Sequence, residues 1–397
     1  MAEVDKAVAT LQDMWYLAAV DGLGLDKSSF MLLQAGAQLP YTTSAFWQLI
    51  DSIPPKALTS VLSLGSLNSF YQDYGGLFSA VISPISDDFK RVMGDNLSDW
   101  MDYKKTVTAS ALKDAGGWPG VFALWAGQNL PDNVATSAIS IMNKDVHNVV
   151  NAASSKYYAN SDADHPFDPK KDTLYNIKID DITGGLMAHG PTKSVHMDSK
   201  TSSSDVSTTW AKGGVSGFFD IFSLGGGGSY SSTTSKFTSS EVTIDATFQH
   251  VVTLETFKPG DWYSSAFLNY AYKGGDTAWS AGNPMTWAST FGPDGNLQRI
   301  IEGLVIVDGI DIVMTSDATY SSEEQTSIKT QAKGGIWPFF SASASGGHDT
   351  DVTFNDKGQM TVKTSLPAGN PVVFGANVRD ISAYVTSQAL KAAAMAK

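Results

Sequence analysis

Residues 211–219 read AKGGVSGFF and residues 332–340 read AKGGIWPFF, so one short motif occurs twice at an offset of 121 residues. A glycine pair, Gly225-Gly226, returns at the same offset as Gly346-Gly347. Similarity of a chain to itself at a fixed spacing indicates a duplicated structural unit. The motif therefore predicts two copies of one unit in the C-terminal half of the chain.

Both copies follow one plan, in which a hydroxyl-rich stretch leads to Ala-Lys-Gly-Gly, a short apolar tip and a glycine-rich turn. The hydroxyl-rich stretches are residues 200–209 and 229–240 in the first copy and residues 315–330 in the second. We interpret each plan as a long two-stranded hairpin, or as one edge of a twisted sheet. The tip residues are Lys212, Val215, Phe218, Phe219, Ile221, Phe222, Lys333, Ile336, Trp337, Phe339 and Phe340.

Outside the motif, the C-terminal half carries further strand signals. Apolar and polar residues alternate over residues 242–249, which predicts a half-buried strand. Two apolar runs, 304–307 and 310–314, flank Asp308-Gly309. Because Asp-Gly is a strong signal for a two-residue turn, these runs predict a hairpin.

The first 158 residues have helical spacing instead. Apolar residues recur at helical intervals over residues 3–20, 43–50, 87–103 and 133–158. Asp26 is a candidate cap for another helix that runs through Leu33. The fold prediction is therefore α+β, with a helical N-terminal domain and a duplicated antiparallel β region with long Ser/Thr/Gly-rich hairpins. The expected divisions are a helix-rich domain at 1–158, a polar linker at 159–173, β units at 174–290 and 296–385, and a helical tail at 386–397.

Composition restricts the partners. The 397 residues have a formal net charge of −13 and include no cysteine. Nucleic-acid binders neutralise phosphate with clustered Lys and Arg, and no such cluster occurs, so nucleic acid is not an expected partner. No basic and apolar leader and no run of 18 apolar residues occurs. We expect a soluble protein that is cytoplasmic as synthesised and that would leave the cell without a signal peptide.

Enzyme signatures do not occur, so the sequence predicts no catalytic residue, no cofactor and no metal site. Gly-x-Ser-x-Gly, His-Glu-x-x-His and a Walker loop are all missing from the chain. The four glycines 225–228 are interpreted as a flexible turn. His189 and His196 are close in sequence, but no third ligand accompanies them.

The first functional hypothesis is a non-enzymatic, toxin-like protein that interacts with membranes, with β-pore formation as its specific form. Hydroxyl-rich hairpins with aromatic tips are similar in general style to those of β-pore-forming toxins, although no family signature accompanies them. The expected partners are membrane lipid or a cell-surface receptor, and a homo-oligomer. One feature argues against this hypothesis: Glu323 and Glu324 are adjacent, so one of them would face lipid.

The alternative is a non-enzymatic binding or self-assembling module with duplicated β units. Aromatic side chains can stack on sugars or anchor a protein interface. Four of them are candidates for stacking on a ligand: Trp262, Tyr263, Trp279 and Trp287. The opposing interpretation is that these residues belong to the core and rim of a sheet. The two functional hypotheses differ on whether the aromatic tips are exposed or buried.

Overall fold

The structure is a computed structural model of the chain. It describes residues 3–54, 69–83, 85–144, 148–159, 173–183, 189–203, 229–255, 257–332, 335–336, 340–341 and 349–387. The helices are α1 (Glu3–Leu23), α2 (Thr43–Ile50), α3 (Phe70–Ala80), α4 (Asp87–Met93), α5 (Asn96–Lys104), α6 (Ala109–Asp114), α7 (Trp118–Asn129), α8 (Asp132–Lys144), α9 (Val149–Ala159), α10 (Ile179–Asp181), α11 (Ser229–Thr238), α12 (Ser265–Lys273), α13 (Trp287–Phe291) and α14 (Ser322–Ala332), with helical residues also at 381–387.

The strands form one seven-stranded antiparallel sheet and one short hairpin. They are β1 (Phe30–Gln38), β2 (Lys193–Asp198), β3 (Val242–Leu254), β4 (Arg299–Ser316), β5 (Gly335–Ile336), β6 (Phe340–Ser341), β7 (Asp349–Phe354), β8 (Met360–Leu366) and β9 (Val372–Asp380). In the large sheet the order is β1-β9-β4-β3-β2, and β8 pairs with both β4 and β7. The α+β fold class is thus confirmed.

Strand β4 is the centre of this sheet and changes partner along its length. On one side it pairs with β3 without a shift of register, from Leu254↔Leu304 to Val242↔Ser316. On its other side it pairs first with β9, up to Val307, and then with β8, from Ile310. The change falls at Asp308-Gly309, so this dipeptide marks the point in β4 where its partner changes from β9 to β8.

The predicted hairpin turn at Asp308-Gly309 is therefore wrong. Gly309 does have the positive φ, +63°, that the Asp-Gly signal suggests. The carboxylate of buried Asp308, however, accepts hydrogen bonds from the backbone N–H groups of Gly369 and Asn370 at 2.9–3.0 Å. These contacts hold the loop between β8 and β9 against β4, so the chain continues straight instead of folding back.

Two hydrophobic clusters lie on the two faces of the sheet. Helices α2–α9 and α12 pack on one face, over side chains such as Leu304 and Ile306. Helix α1 and the anchoring side chains of α11 and α14 pack on the other, over Val242 and Ile244. In the part of the sheet near Ser316, side chains such as Asp245 point from the opposite face into solvent, which matches the predicted alternation.

Four local predictions are corrected by the structure. Residues 30–38 form strand β1, where the Asp26 signal had predicted a helix, because the Asp26 carboxylate instead accepts the Ser28 N–H in a tight turn. Separate helices α8 and α9 occupy most of the predicted long helix at 133–158. The hydroxyl-rich stretches 229–240 and 315–330, predicted as strands, hold helices α11 and α14.

Two N-terminal elements contact the C-terminal half of the chain, across the predicted domain boundary. Strand β1 belongs to the first 158 residues, yet it pairs with β9 at the other end of the chain. Helix α1 likewise lies against β2 and α11. The N-terminal region therefore completes both faces of the sheet, while the domain boundaries themselves stay a prediction.

Candidate functional site

Two long connections leave the large sheet at the same end. Residues 199–241, the first connection, join β2 to its neighbour β3, and residues 317–359, the second connection, join β4 to its neighbour β8. Each connection is 43 residues long, and the second contains strand β7, which pairs with β8 in the same sheet. Ser316 pairs with Val242 on one side and with Met360 on the other. We call this edge of the sheet, where both connections begin and end, the connection end.

A row of hydroxyl groups links the two connections through Ser316, the last residue of β4. The hydroxyl oxygens of Ser240 and Ser316 lie 2.8 Å apart, and that of Ser316 lies 3.2 Å from the hydroxyl of Tyr320. Ser240 also donates to the carbonyl of Phe237 at 2.7 Å. Ser316 and Tyr320 are each 2% exposed, and burial raises the pKa of Tyr320 to about 12. The end of the first connection is therefore tied to the start of the second without any ionised group.

Backbone contacts close the same end. The N–H of Glu241 donates to the Asp317 carboxylate at 2.7 Å, and the N–H of Asp317 donates to the Glu241 carbonyl at 3.1 Å. The Lys200 ammonium forms an ion pair with the Glu241 carboxylate. Because Lys200 and Glu241 lie near the two ends of the first connection, this ion pair closes the base of that connection.

An ion pair joins the helices α11 and α14. The ammonium of Lys236 lies 2.8 Å from both carboxylate oxygens of Glu324. Burial alone would raise the pKa of Glu324, but hydrogen bonds from Lys236 and from the Ser321 N–H lower it below its usual value. The Ser321 hydroxyl in turn accepts the Glu324 N–H at 3.3 Å, so the carboxylate also caps α14.

Among the described side chains of these two helices, one apolar residue each is buried against the sheet. Phe237 of α11 is fully buried, and Ile328 is the corresponding residue of α14, at 1% exposure. Most of the remaining side chains described on α14 are exposed, including Glu323, Thr326 and Lys329. Full burial of one such apolar side chain contributes only about 1.5–3 kcal/mol. The described side chains of these helices therefore provide one apolar anchor each, together with polar contacts.

The surroundings of α11 also contain buried polar atoms without a partner. Among the described residues, the Thr234 hydroxyl on α11 has no hydrogen bond, and neither polar atom of the Gln12 side chain on α1 has one. Thr234 and Gln12 are each 1% exposed, and α1 packs against α11. An unsatisfied buried group costs about 1–3 kcal/mol. This packing is therefore weaker than its burial suggests.

The predicted tip residues are described only in part. Lys212, Val215, Phe218, Phe219, Ile221, Phe222, Lys333, Trp337 and Phe339 lie outside the described residues. The backbones of Ile336 and Phe340 are described, and these two residues are Cα partners in the short antiparallel hairpin β5-β6. The structure thus brings together two of the eleven predicted tip positions and places them in a hairpin.

The predicted stacking aromatics lie within or beside the helical core. Trp262 is 2% exposed and Trp279 6%, and their indole N–H groups donate to the carbonyls of Leu174 and Ala271. Tyr263 and Trp287 are half-buried against the same core. Rings of other residues contact all four. A sugar could not stack on Trp262 or Trp279 without opening this core.

One buried carboxylate in the helical core gave no signal in the sequence. The Asp51 carboxylate accepts hydrogen bonds from the Tyr175 hydroxyl at 2.7 Å and from the Tyr71 N–H at 3.1 Å. Burial is the main cause that raises the pKa of Asp51 to about 6. Asp51 and Tyr175 are 124 residues apart in the chain, and therefore no local pattern could have indicated their contact.

Other site types receive no support from the described part of the chain. It contains no group of three His, Asp or Glu side chains that could hold a metal ion. The imidazole of His196 is paired with the Asp245 carboxylate at 2.6 Å. None of the helices in the described ranges has the length and apolar character needed to cross a bilayer. Comparisons with protein-family models, curated proteins and solved structures find no match to this chain.

Proposed function

We propose that this protein is a non-enzymatic, membrane-interacting protein that oligomerises and inserts its two connections into a bilayer as β-hairpins. The observation that carries the proposal is the shared geometry of the connections. Each one joins two neighbouring antiparallel strands, and both leave from one end of the sheet. Extension of the strands β2, β3 and β4 beyond this end would lengthen the existing ladder, whereas extension of β8 would also require β7 to leave its pairing with β8.

The connections are long enough for this role. A membrane strand needs roughly 9–11 residues to cross the hydrocarbon layer. A connection of 43 residues supplies two such strands and the turn between them, provided that in the second connection β7 leaves its pairing with β8. The aromatic tip motifs lie near the middle of each connection in sequence, where that turn would be, and aromatic side chains favour the membrane interface.

The composition of α11 favours a strand over a helix. Seven of its ten residues are Ser or Thr, and two of the others are Tyr and Phe. Ser, Thr and aromatic residues are weak helix formers, whereas Thr, Tyr and Phe are common in strands. Such a disagreement between local preference and folded state lowers the cost of leaving that state. Helix α14 has better helix formers and a cap, so the disagreement is concentrated in α11.

Free strand edges support the oligomer. Within the described part of the sheet, β1 pairs with β9 alone and β2 with β3 alone, so each has one unpaired edge. Membrane strands need a closed barrel, which several copies would supply.

Dye release from liposomes tests this proposal, with sedimentation of lipid-free and lipid-treated samples in parallel. We expect release together with a shift to large oligomers. No release with oligomers already present in buffer would overturn the proposal in favour of a self-assembling module. No release from a monomer would overturn it too, and would make a search for ligands the next step.

A tip variant locates the contact. Replacement of Phe218, Phe219, Trp337 and Phe339 by Ser should abolish liposome binding and leave the folded state intact, because exposed apolar tips are needed for the membrane and not for the core. The matched control carries Tyr41→Ser and Leu124→Ser, since these side chains are 79% and 62% exposed and lie outside the connections. Unfolding of the tip variant would mean that the tips belong to the core.

A further inference from the structure

The Lys236–Glu324 ion pair links the two connections to each other and not to the body of the sheet. Lys236 lies six residues before β3 begins, and Glu324 lies eight residues after β4 ends. Their side chains are 44% and 16% exposed. If one helix left the sheet alone, this contact would break, whereas it could persist if both helices left together.

The register of the β3-β4 ladder predicts where these residues lie after extension. The pairing runs without a shift up to Val242↔Ser316. Continued in the same register, it places Lys236 opposite Ser322 after six more residues and Glu324 opposite Thr234 after eight. Lys236 and Glu324 are then diagonal neighbours on one face of the sheet, with Cβ atoms about 7–8 Å apart. Two side chains of this length can bridge that distance.

That face is the more apolar one. Side chains alternate in a strand, so it continues the buried face of Val242 and Ile244. Over residues 229–241 and 317–332 it would carry Tyr230, Ala318, Tyr320 and Ile328 among Ser and Thr. Lys236 is its single cation and Glu324 its single anion. The other face would carry Glu241, Asp317, Glu323 and Lys329 together with one apolar side chain, Phe237, and its charges suit a water-filled lumen.

We propose that Lys236 and Glu324 form one ion pair in two states: between helices α11 and α14 in the fold described above, and across strands β3 and β4 in the membrane-inserted form, an inference that rests on the proposed function. In the second state the pair neutralises the only charges on the lipid-facing side of these arms. It also fixes which residue of one connection lies opposite which residue of the other. The adjacency of Glu323 and Glu324 then agrees with membrane insertion, since Glu323 faces the lumen and Glu324 is paired.

Charge reversal tests whether the ion pair also forms in the membrane-inserted state or only stabilises the folded form. We expect Lys236→Glu and Glu324→Lys each to slow dye release by about tenfold or more, because each leaves like charges together on the face in contact with lipid. The double variant K236E/E324K should release within about threefold of the original rate, since it restores the pair. Faster release by the single variants would overturn the proposal, because a restraint of the folded form gives that result.

A second double variant controls for net charge. K236E/E323K has the same net charge as K236E/E324K, but Glu323 would lie on the opposite face of the extended strand. We expect no rescue of release from it. Equal rescue by both double variants would show that net charge alone matters, and would overturn the proposed pairing.

Two further measurements separate this inference from the proposed function. Hydrogen exchange in lipid-free protein should increase in α11 and α14 for each single variant and return to the original level in K236E/E324K, whether or not liposomes release dye. In the cysteine-free chain, K236C/S322C should form a disulfide after liposome binding, because these positions are opposite in the predicted register, and K236C/S321C should not. Cross-linking of the second pair alone would overturn the register, whereas failure of the original protein to release dye would overturn the proposed function itself.

Discussion

Six aromatic rings lie with their centroids 5.4–6.1 Å from that of Tyr74 in the helical core, whereas α11 reaches the other core through Phe237 and α14 through Ile328. The interlocking rings make rearrangement of the helical core costly, because each ring packs against several others. Hydroxyl rows and one ion pair contribute much less per contact. The difference indicates that the helical core and the sheet beneath it form one rigid unit, which we call the body. The connection end can then rearrange while the body stays folded.

The largest expected effect compares a ring of the body with a ring of the connection end. Phe78 and Phe237 are both fully buried, and Phe78 stacks on Phe267 with a centroid distance of 4.4 Å. Phe78→Ala should lower the global free energy of unfolding by about 3–5 kcal/mol. Phe237→Ala removes the same side chain but should mainly increase hydrogen exchange in α11, with a smaller shift of the melting temperature. Equal shifts of the melting temperature would mean that body and connection end unfold as one unit.

Asp51 should make the stability of the body depend on pH. Its pKa in the folded state, about 6, lies above the unfolded value of 3.8, so folding favours the protonated form. The free energy of unfolding should therefore fall by about 2 kcal/mol as pH rises from 4 to 7. Asp51→Asn keeps an acceptor for the Tyr175 hydroxyl and removes the charge. Urea unfolding across this pH range gives the free energy of unfolding of both proteins. An equal dependence on pH in the two proteins would contradict the prediction.

The unpaired polar atoms beside α11 predict a gain of stability. Thr234→Val and Gln12→Leu each replace a buried group that lacks a described partner with an apolar one of similar size. Each should raise the protection of α11 against hydrogen exchange by about 1–3 kcal/mol. If α11 must leave the sheet for insertion, the same variants should also slow dye release. A loss of stability instead would mean that these groups have partners in the folded protein.

Patterns of short range predicted the body better than the connection end. The alternation over 242–249 predicted β3 correctly because one face of that strand is buried and the other is in water. The hydroxyl-rich composition of 229–240 predicted a strand, but the burial of Phe237 and the packing of α11 on α1 hold it as a helix. Tertiary contacts of this kind override weak local preference, and no local pattern reports them.

The sequence could not predict the long-range polar pairs either, because no local pattern reports them. Asp308 meets Gly369 61 residues away, and Lys236 meets Glu324 88 residues away. An Asp-Gly dipeptide predicts positive φ correctly, but whether the chain folds back depends on the strands beside it. The repeat located both connections, since it lies within them. The contacts that join the connections to each other became visible only with the register of β3 and β4.

The smallest expected effect concerns the hydroxyl row at the connection end. Ser240→Ala removes its contact with Ser316, while Ser316 keeps the Tyr320 hydroxyl as a neighbour, so the loss should be about 0.5–1.5 kcal/mol. The matched control is Ser239→Ala, an exposed neighbour for which a change within about 0.5 kcal/mol is expected. If the connection end is a separate unit, the Ser240 variant should raise hydrogen exchange in both connections and leave the protection of α3 and α12 unchanged. A change that spreads equally to those helices would show that the hydroxyl row supports the whole protein, and the contrast between body and connection end would then be one of composition only.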